Sequence, residues 1–356
     1  MKTPNPANLP LQELLTNPDY YLWRLEGSYA IFVQMTRESF QESIFTDQRI
    51  VPVSPNLIKV RVDKLLKVFK KYDPPGISYI FHVAHCGSTL LSRALDMSDK
   101  NIIYREPSAL RQLAVMMAEN DWGDAPPASW RNKFRLTTAL LSKSYIKNAP
   151  VVIKANVPVN FVIDKLMQIN PEAPGLFLYS SFENYLLSIL KSSTHRAWSV
   201  SVVNSLAKAI ERHTGVSEID QKRLSAPQVV ACLWLAQISI YCEAAEKYKN
   251  LKTVDSEIFF SDPEPVLAKT FELFNHTISA QEINAIMNSN LFNHYSKDPR
   301  YEYSNERRIN ERQVLKQSIA KELQEGRAWV MAHIGKTPLP DTMPCPLLGK
   351  ALLLLA

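Results

Sequence analysis

Residues 77–97 read ISYIFHVAHCGSTLLSRALDM, and the order of features in this stretch decides the fold. Residues 77–84 form an apolar run with β-branched and aromatic side chains, the pattern of a buried strand. The segment His85-Cys86-Gly87-Ser88 breaks the run, and residues 89–97 take up helical spacing. A strand, a short Gly-Ser-Thr loop and a helix together make an anion cradle. The first amides of a helix have no intrahelical partner, and the helix dipole adds positive charge there. Gly87 lets the backbone approach an oxyanion closely, and Ser88 and Thr89 add hydroxyl donors.

The alternation continues outward from this unit. Upstream, Tyr72-Asp73-Pro74-Pro75-Gly76 is a breaker that closes an N-terminal attachment, residues 1–75. That attachment holds aromatic-rich segments (YYLWRLEGSYAIFVQM, 20–35) and an expected helix over 56–71. Downstream, strands are expected at 101–104, 151–157, 175–180 and 251–255. Helices are expected between them at 108–120, 131–147, 158–169 and 182–191, and another from Ser225, where Ser225-x-x-Gln228 is a capping box. Pro263 and Ser279 open two more, and the polar, basic stretch 293–312 reads as a long loop into a helix over 312–332. Strands alternating with helices give an α/β chain with a mostly parallel sheet covered on both faces. The main domain spans 76–335 and a tail spans 336–356.

Composition narrows the function. The chain has 356 residues, 46% hydrophobic and 21% charged, which excludes a mainly disordered protein. No G-x-G-x-x-G occurs, so that dinucleotide fingerprint is excluded. Lys+Arg 41 minus Asp+Glu 35 gives a mild +6, which suits an anionic ligand. No run of five basic residues marks a nucleic-acid partner. The four cysteines lack C-x-x-C spacing, so no zinc site or disulfide framework is indicated. The first residues lack the apolar core of a secretory signal, and the final LLGKALLLLA is too short to span a bilayer. A cytoplasmic protein with no membrane partner is expected. His82 and His85 face opposite ways on a strand, and nothing completes a metal set. The Walker pattern G-x-x-x-x-G-K-[ST] is absent, which disfavours a Mg²⁺-dependent kinase. A thiol phosphatase on Cys86 requires Arg at position 92, where Ser92 stands.

The segment His85-Cys86-Gly87-Ser88-Thr89-Leu90 resembles the shortened phosphate loop of the sulfotransferase family, typically Lys/Arg-Ser-Gly-Thr-Thr after the first strand. His85 replaces the usual basic residue. A second family element, Arg-x-Pro after a strand with Ser eight residues beyond the Arg, is matched by Ser188 alone. Ser180 and Phe182 stand where Arg and Pro are expected. The resemblance covers about residues 77–300 by order of elements. It implies a three-layer P-loop-type fold and 3′-phosphoadenosine 5′-phosphosulfate as co-substrate. Ser180, Ser188, Arg196 and Lys297 are then expected at the nucleotide, with Lys191 and Arg300 as further cations and the late basic loop closing over it.

Such a transfer needs alignment, cations for the leaving phosphate and a proton acceptor. Glu106 follows the second strand, where open parallel sheets bind ligands, and can take the acceptor proton. It resembles the Glu base of tyrosylprotein- and heparan-type sulfotransferases. Lys154, on an interior strand, is costly to bury unless it reaches a polar cleft, and is expected near the transferring sulfonate. His85, if protonated, could stabilise the bridging oxygen. The expected activity is sulfuryl transfer to a hydroxyl or amine on a small-molecule or peptide acceptor. The alternatives are a catalytically degenerate nucleotide- or phosphate-binding protein and, third, a P-loop kinase. Acceptor identity and oligomeric state are not readable.

Overall fold

The computed structural model describes residues 10–70, 76–97, 99–147, 149–298, 300–335 and 338–356. Of the expected breaker at 72–76, only Gly76 lies among them. The N-terminal aromatics fold as an antiparallel sheet of β1 (Tyr20–Glu26), β2 (Tyr29–Gln34) and β3 (Ile58–Arg61). A two-residue turn, Gly27-Ser28, joins the first two strands, with Gly27 at φ 57°. The helix expected over 56–71 starts only at Val62, as Val62–Phe69. Residues 58–61 alternate in burial and pair with β2, Tyr29 opposite Arg61, so tertiary pairing overrides the local helical pattern.

The second sheet comprises β4 (Ile77–His82), β5 (Ile102–Arg105), β6 (Val151–Lys154), β7 (Gly175–Tyr179) and β8 (Leu251–Asp255). All its pairings are parallel, in the order β5-β6-β4-β7-β8. Helices flank it, as expected of an α/β chain. Every residue of β4 through β7 is buried, and for that reason these strands read as continuous apolar runs. β6 is shorter than 151–157 because the chain turns after Lys154 into the helix Val157–Asn160. The chain winds from β4 through β5 to β6 on one side, then crosses to β7 on the other. Winding therefore reverses at β4, the position where open sheets bind ligands beyond the strand ends.

Helix Ala226–Lys247 is long and apolar enough to cross a membrane, but 89% of its apolar window is buried inside the structure. It is a core helix. Tyr21, Val33, Met35 and Phe40 share one buried cluster with β4 and β6, so the N-terminal region packs onto the main sheet. Arg105, 1% exposed, fastens it. Its guanidinium donates to the carbonyls of Phe40 and Ser43 at 2.7 Å and Ile44 at 3.1 Å, and pairs with Asp96 at 2.6 Å. The Thr46 N–H returns a bond to the Arg105 carbonyl at 2.7 Å. At the opposite edge the tail lies along β8. Thr253 N–H donates to Cys345 O at 3.0 Å, and Leu347 N–H to Thr253 O at 2.8 Å. Both sheet edges are thus covered.

Further expected boundaries move, and the helix expected at 158–169 divides into Val157–Asn160 and Ile163–Ile169. The helix expected at 131–147 runs Ala128–Leu140. The late loop is shorter than 293–312: it closes with a bridge between His294 and Glu302, and helix Asn305–Ser318 begins, capped by the Ser304 hydroxyl. None of that helix is buried, so it carries no apolar periodicity to read. Helix Ala320–Ile334 follows.

Candidate active site

The loop after β4 holds Ala84 at φ 73°, His85 at 52° and Gly87 at 89°. Left-handed residues in such a turn aim successive amides to one side, forming an anion-binding concavity. A Cβ on Gly87 would lie 2.6 Å from Phe260 Cζ, so both backbone angle and space require glycine here. No side chain caps the helix Ser88–Ala94 that starts at this point. Cys86 turns inward: it is fully buried, and its thiol meets the Leu178 carbonyl at 3.3 Å. Burial pushes that thiol up to about 11, so only the Cys86 backbone can serve a ligand.

A cleft of about 450 Å³ opens over the loop, floored by His85, Gly87, Ser88, Thr89 and Leu90. Its far wall carries Ser188 and Lys191, and its roof is formed by residues 294–297, with Lys297, and 301–304, followed by Arg307, Arg308 and Arg312. Burial, helped by the Lys154 charge and opposed by Glu106, pushes Lys297 down to about 8. His85 packs against His195, ring centroids 3.8 Å apart, and edge-on to Trp198 at 5.3 Å. Burial, then the Lys297 charge, holds His85 far below its ordinary value. The imidazolium expected here is therefore not held. The cation beside the loop is Lys297, and His85 offers one neutral N–H.

Glu106 and Lys154 meet where β5 and β6 end. The two strands are in register, Arg105 opposite Lys154, and Glu106 N–H donates to the Lys154 carbonyl at 2.7 Å. Glu106 sits at φ 61°, a left-handed value uncommon outside glycine, which turns its side chain off the strand. The Lys154 ammonium, 1% exposed, pairs with Glu106 Oε1. The other oxygen is 3.6 Å from Arg49, whose guanidinium stacks 3.5 Å from the Phe45 ring centroid. Burial raises the Glu106 pKa, but Lys154, then Arg49 and Lys297, overrule it, and the net shift is downward. Arg49 carried no sequence signal. It arrives through the 40–47 segment that Arg105 fastens to the sheet edge.

At the far end, Arg312 donates to the Ser188 hydroxyl at 3.3 Å and to Asn184 Oδ1 at 3.0 Å. Glu257 holds Arg312 and takes both Arg308 terminal nitrogens, at 2.7 and 2.6 Å. Arg308 also lies over the Phe260 ring at 4.2 Å. The cation beside Ser188 is thus Arg312, a residue sequence reading passed over. The only signal was the spacing Arg308, Arg312 within NERRINER, one helical turn apart. Three expected residues do not reach the cleft. Ser180 is fully buried and bonds the Ser256 hydroxyl at 2.8 Å. Arg196 turns to Leu190 O at 2.9 Å and to the Glu322 carboxylate. Arg300 is exposed and closes on Asp298 at 2.6 Å.

Comparison with known proteins finds structural likenesses that include three sulfotransferases. A sulfotransferase from Alicyclobacillus acidocaldarius is 14% identical, with TM-score 0.37, covering 74% of this chain and 97% of that one. A sulfotransferase from Mycobacterium avium is 11% identical, with TM-score 0.41, covering 74% and 81%. The sulfotransferase domain from the curacin biosynthetic pathway is 12% identical, with TM-score 0.36, covering 61% and 80%. No family model matches, and no curated protein matches. Likeness at this level assigns no residue a role.

Proposed function

We propose that the chain moves a sulfuryl group from 3′-phosphoadenosine 5′-phosphosulfate to a hydroxyl or amine on a small-molecule or peptide acceptor. The observation that carries this reading is the Glu106–Lys154 pair, set at the strand ends and coupled to the cleft through Lys297. Glu106 and Lys154 do not line the cleft themselves, but Lys297 does and feels both their charges, so a base, cations and an anion cradle lie close enough to match what sulfuryl transfer asks of a protein. Glu106 takes the proton as the acceptor oxygen or nitrogen bonds to sulfur. The bond from sulfur to the bridging oxygen breaks, and its electron pair leaves on the phosphate of the bisphosphate product. Lys154 and Lys297 face the sulfonate oxygens. The amides of residues 87–90, with Ser88 and Thr89, hold the 5′-phosphate.

The cleft suits such a nucleotide. Its volume, about 450 Å³, lies within the ordinary range for ligand pockets. Arg312, Ser188 and Lys191 supply a cationic corner for the 3′-phosphate. Leu187, Phe260 and Leu315 give the apolar wall between the two ends. His85 donates its one N–H toward the bridging oxygen.

The test is incubation of the purified chain with ³⁵S-labelled co-substrate and a panel of hydroxyl and amine acceptors, without Mg²⁺. Transfer of label to an acceptor is expected. Bisphosphate binding with no transfer to any acceptor selects the binding-protein reading. ATP binding that requires Mg²⁺ selects the kinase reading.

A further inference from the structure

His82 ends β4 with its side chain 5% exposed, on the sheet side of Glu106. The Ala84 N–H donates to its Nδ1 at 2.9 Å. A ring nitrogen that accepts carries no proton, so in the neutral ring the proton sits on Nε2. Nε2 is buried without a hydrogen-bond partner. It lies 3.9 Å from Glu106 Oε1, beyond bonding distance but beside the same oxygen that Lys154 holds. The residue itself is anchored: the Asn160 amide donates to the His82 carbonyl at 3.0 Å and to Gln237 Oε1 at 3.0 Å.

The groups facing the ring are Glu106 beyond β5, Lys154 on β6, Lys297 from the cleft roof and, on the loop after its own strand, His85. Burial, then the two ammonium charges, drive the imidazole well below its ordinary pKa, against a smaller opposing pull from the Ala155 backbone. Near neutral pH the ring is a neutral donor. Buried donors without partners are rare, and one beside a functional carboxylate calls for a state in which it is used.

Lys154 can serve one anion at a time. With the cleft free of ligand it serves Glu106. A sulfonate arriving between Lys154 and Lys297 competes for it. We infer that His82 is a positioning residue for Glu106: its fixed Nε2–H takes over the carboxylate oxygen that Lys154 releases to an anion in the cleft. This rests on the transfer reading for the identity of that anion. The exchange of a charged donor for a neutral one keeps Glu106 oriented while raising its affinity for a proton, at the moment a base is required. Arg49 stays on the other oxygen from the solvent side.

The test needs no turnover. Protein labelled with ¹⁵N in histidine rings and ¹³C in glutamate carboxyls is titrated by NMR. His82 should show Nε2 protonated and Nδ1 bare from about pH 5.5 to about 8. Lys154→Met imitates the released state. In that background His82→Phe should raise the Glu106 pKa by a further one unit or about that, because the last donor on Oε1 is gone. His82→Gln, which keeps an N–H at reach, should restore it. If the Phe variant does not fold, His82→Gln against the shorter His82→Asn gives the same contrast. An imidazolium or the Nδ1–H tautomer at neutral pH overturns the inference, and so does a Glu106 titration indifferent to His82. Absence of sulfuryl transfer would overturn the function while leaving this titration standing. A flat titration would remove the His82 role while leaving transfer untouched.

Discussion

Two parts of the candidate site, the Glu106–Lys154 pair beside the cleft and the Ser188–Arg312 corner that lines it, are assembled by different means. Glu106 and Lys154 stand at the ends of adjacent strands, locked in register by backbone hydrogen bonds. Ser188 and Arg312 meet across helices 124 residues apart in the chain. The first pair is held by the sheet and is nearly sealed from water. The second depends on helix Asn305–Ser318, which buries no residue and docks through Arg308 and Arg312 on Glu257. Groups that must be aligned to a fraction of an ångström sit on the rigid frame. Groups that must only hold a charged ligand sit on the looser one. Chemistry and affinity should therefore separate under mutation.

The sharpest separation is expected at Glu106. Glu106→Gln should cut turnover by about 10²–10⁴-fold, the ordinary worth of a general base, and leave bisphosphate affinity within about twofold. Equal losses in both, measured by ³⁵S transfer and calorimetry, would erase the distinction between the two parts. Lys154→Ala strips the counter-charge from a mostly buried carboxylate, and denaturant unfolding near neutral pH should show a loss of about 3 kcal/mol. The sign with pH follows from the downward shift of Glu106. A carboxylate with a depressed folded-state pKa stabilises above its unfolded value of about 4.3, and the gain is lost as pH falls through the folded value. The cost of Lys154→Ala should accordingly shrink below about pH 4. A cost that is flat with pH would show that packing, not charge, sets it.

In the other part, Arg312→Ala should weaken bisphosphate binding by about 10–100-fold, the worth of a charge-assisted hydrogen bond. Turnover at saturating nucleotide should hold within a few-fold of about one. A fall in turnover as large as the fall in affinity would mean that the far end also aligns the reacting atoms. The smallest effect belongs to Arg196. Arg196→Ala removes a partly exposed pair with Glu322 and a bond to the Leu190 carbonyl, so stability should change by only about 1 kcal/mol and binding not at all.

The contrast also explains what the sequence could tell. The strands, the Gly87 loop, Glu106 and Lys154 are encoded locally: an apolar run, a breaker, a charge at the strand end. Arg312 and Arg49 are not. Each reaches the site through a long-range contact, Arg312 on a helix with no apolar face and Arg49 on a segment sewn to the sheet edge by Arg105. Ser180 and Arg196 were expected by position in a pattern, and hydrogen bonds to Ser256 and Glu322, both distant in the chain, claim them instead. β3 was hidden for a related reason. Its four residues suit either a helix or a strand until β2 is there to pair with.

The most direct measurement is calorimetric titration with 3′-phosphoadenosine 5′-phosphate and with adenosine 5′-phosphate, in chelator, on the wild-type chain and Arg312→Ala. The bisphosphate should bind without Mg²⁺ and at least about tenfold tighter than the monophosphate, and Arg312→Ala should remove that preference. Equal affinity for the two nucleotides, or no binding of either, would contradict the assignment of the cleft.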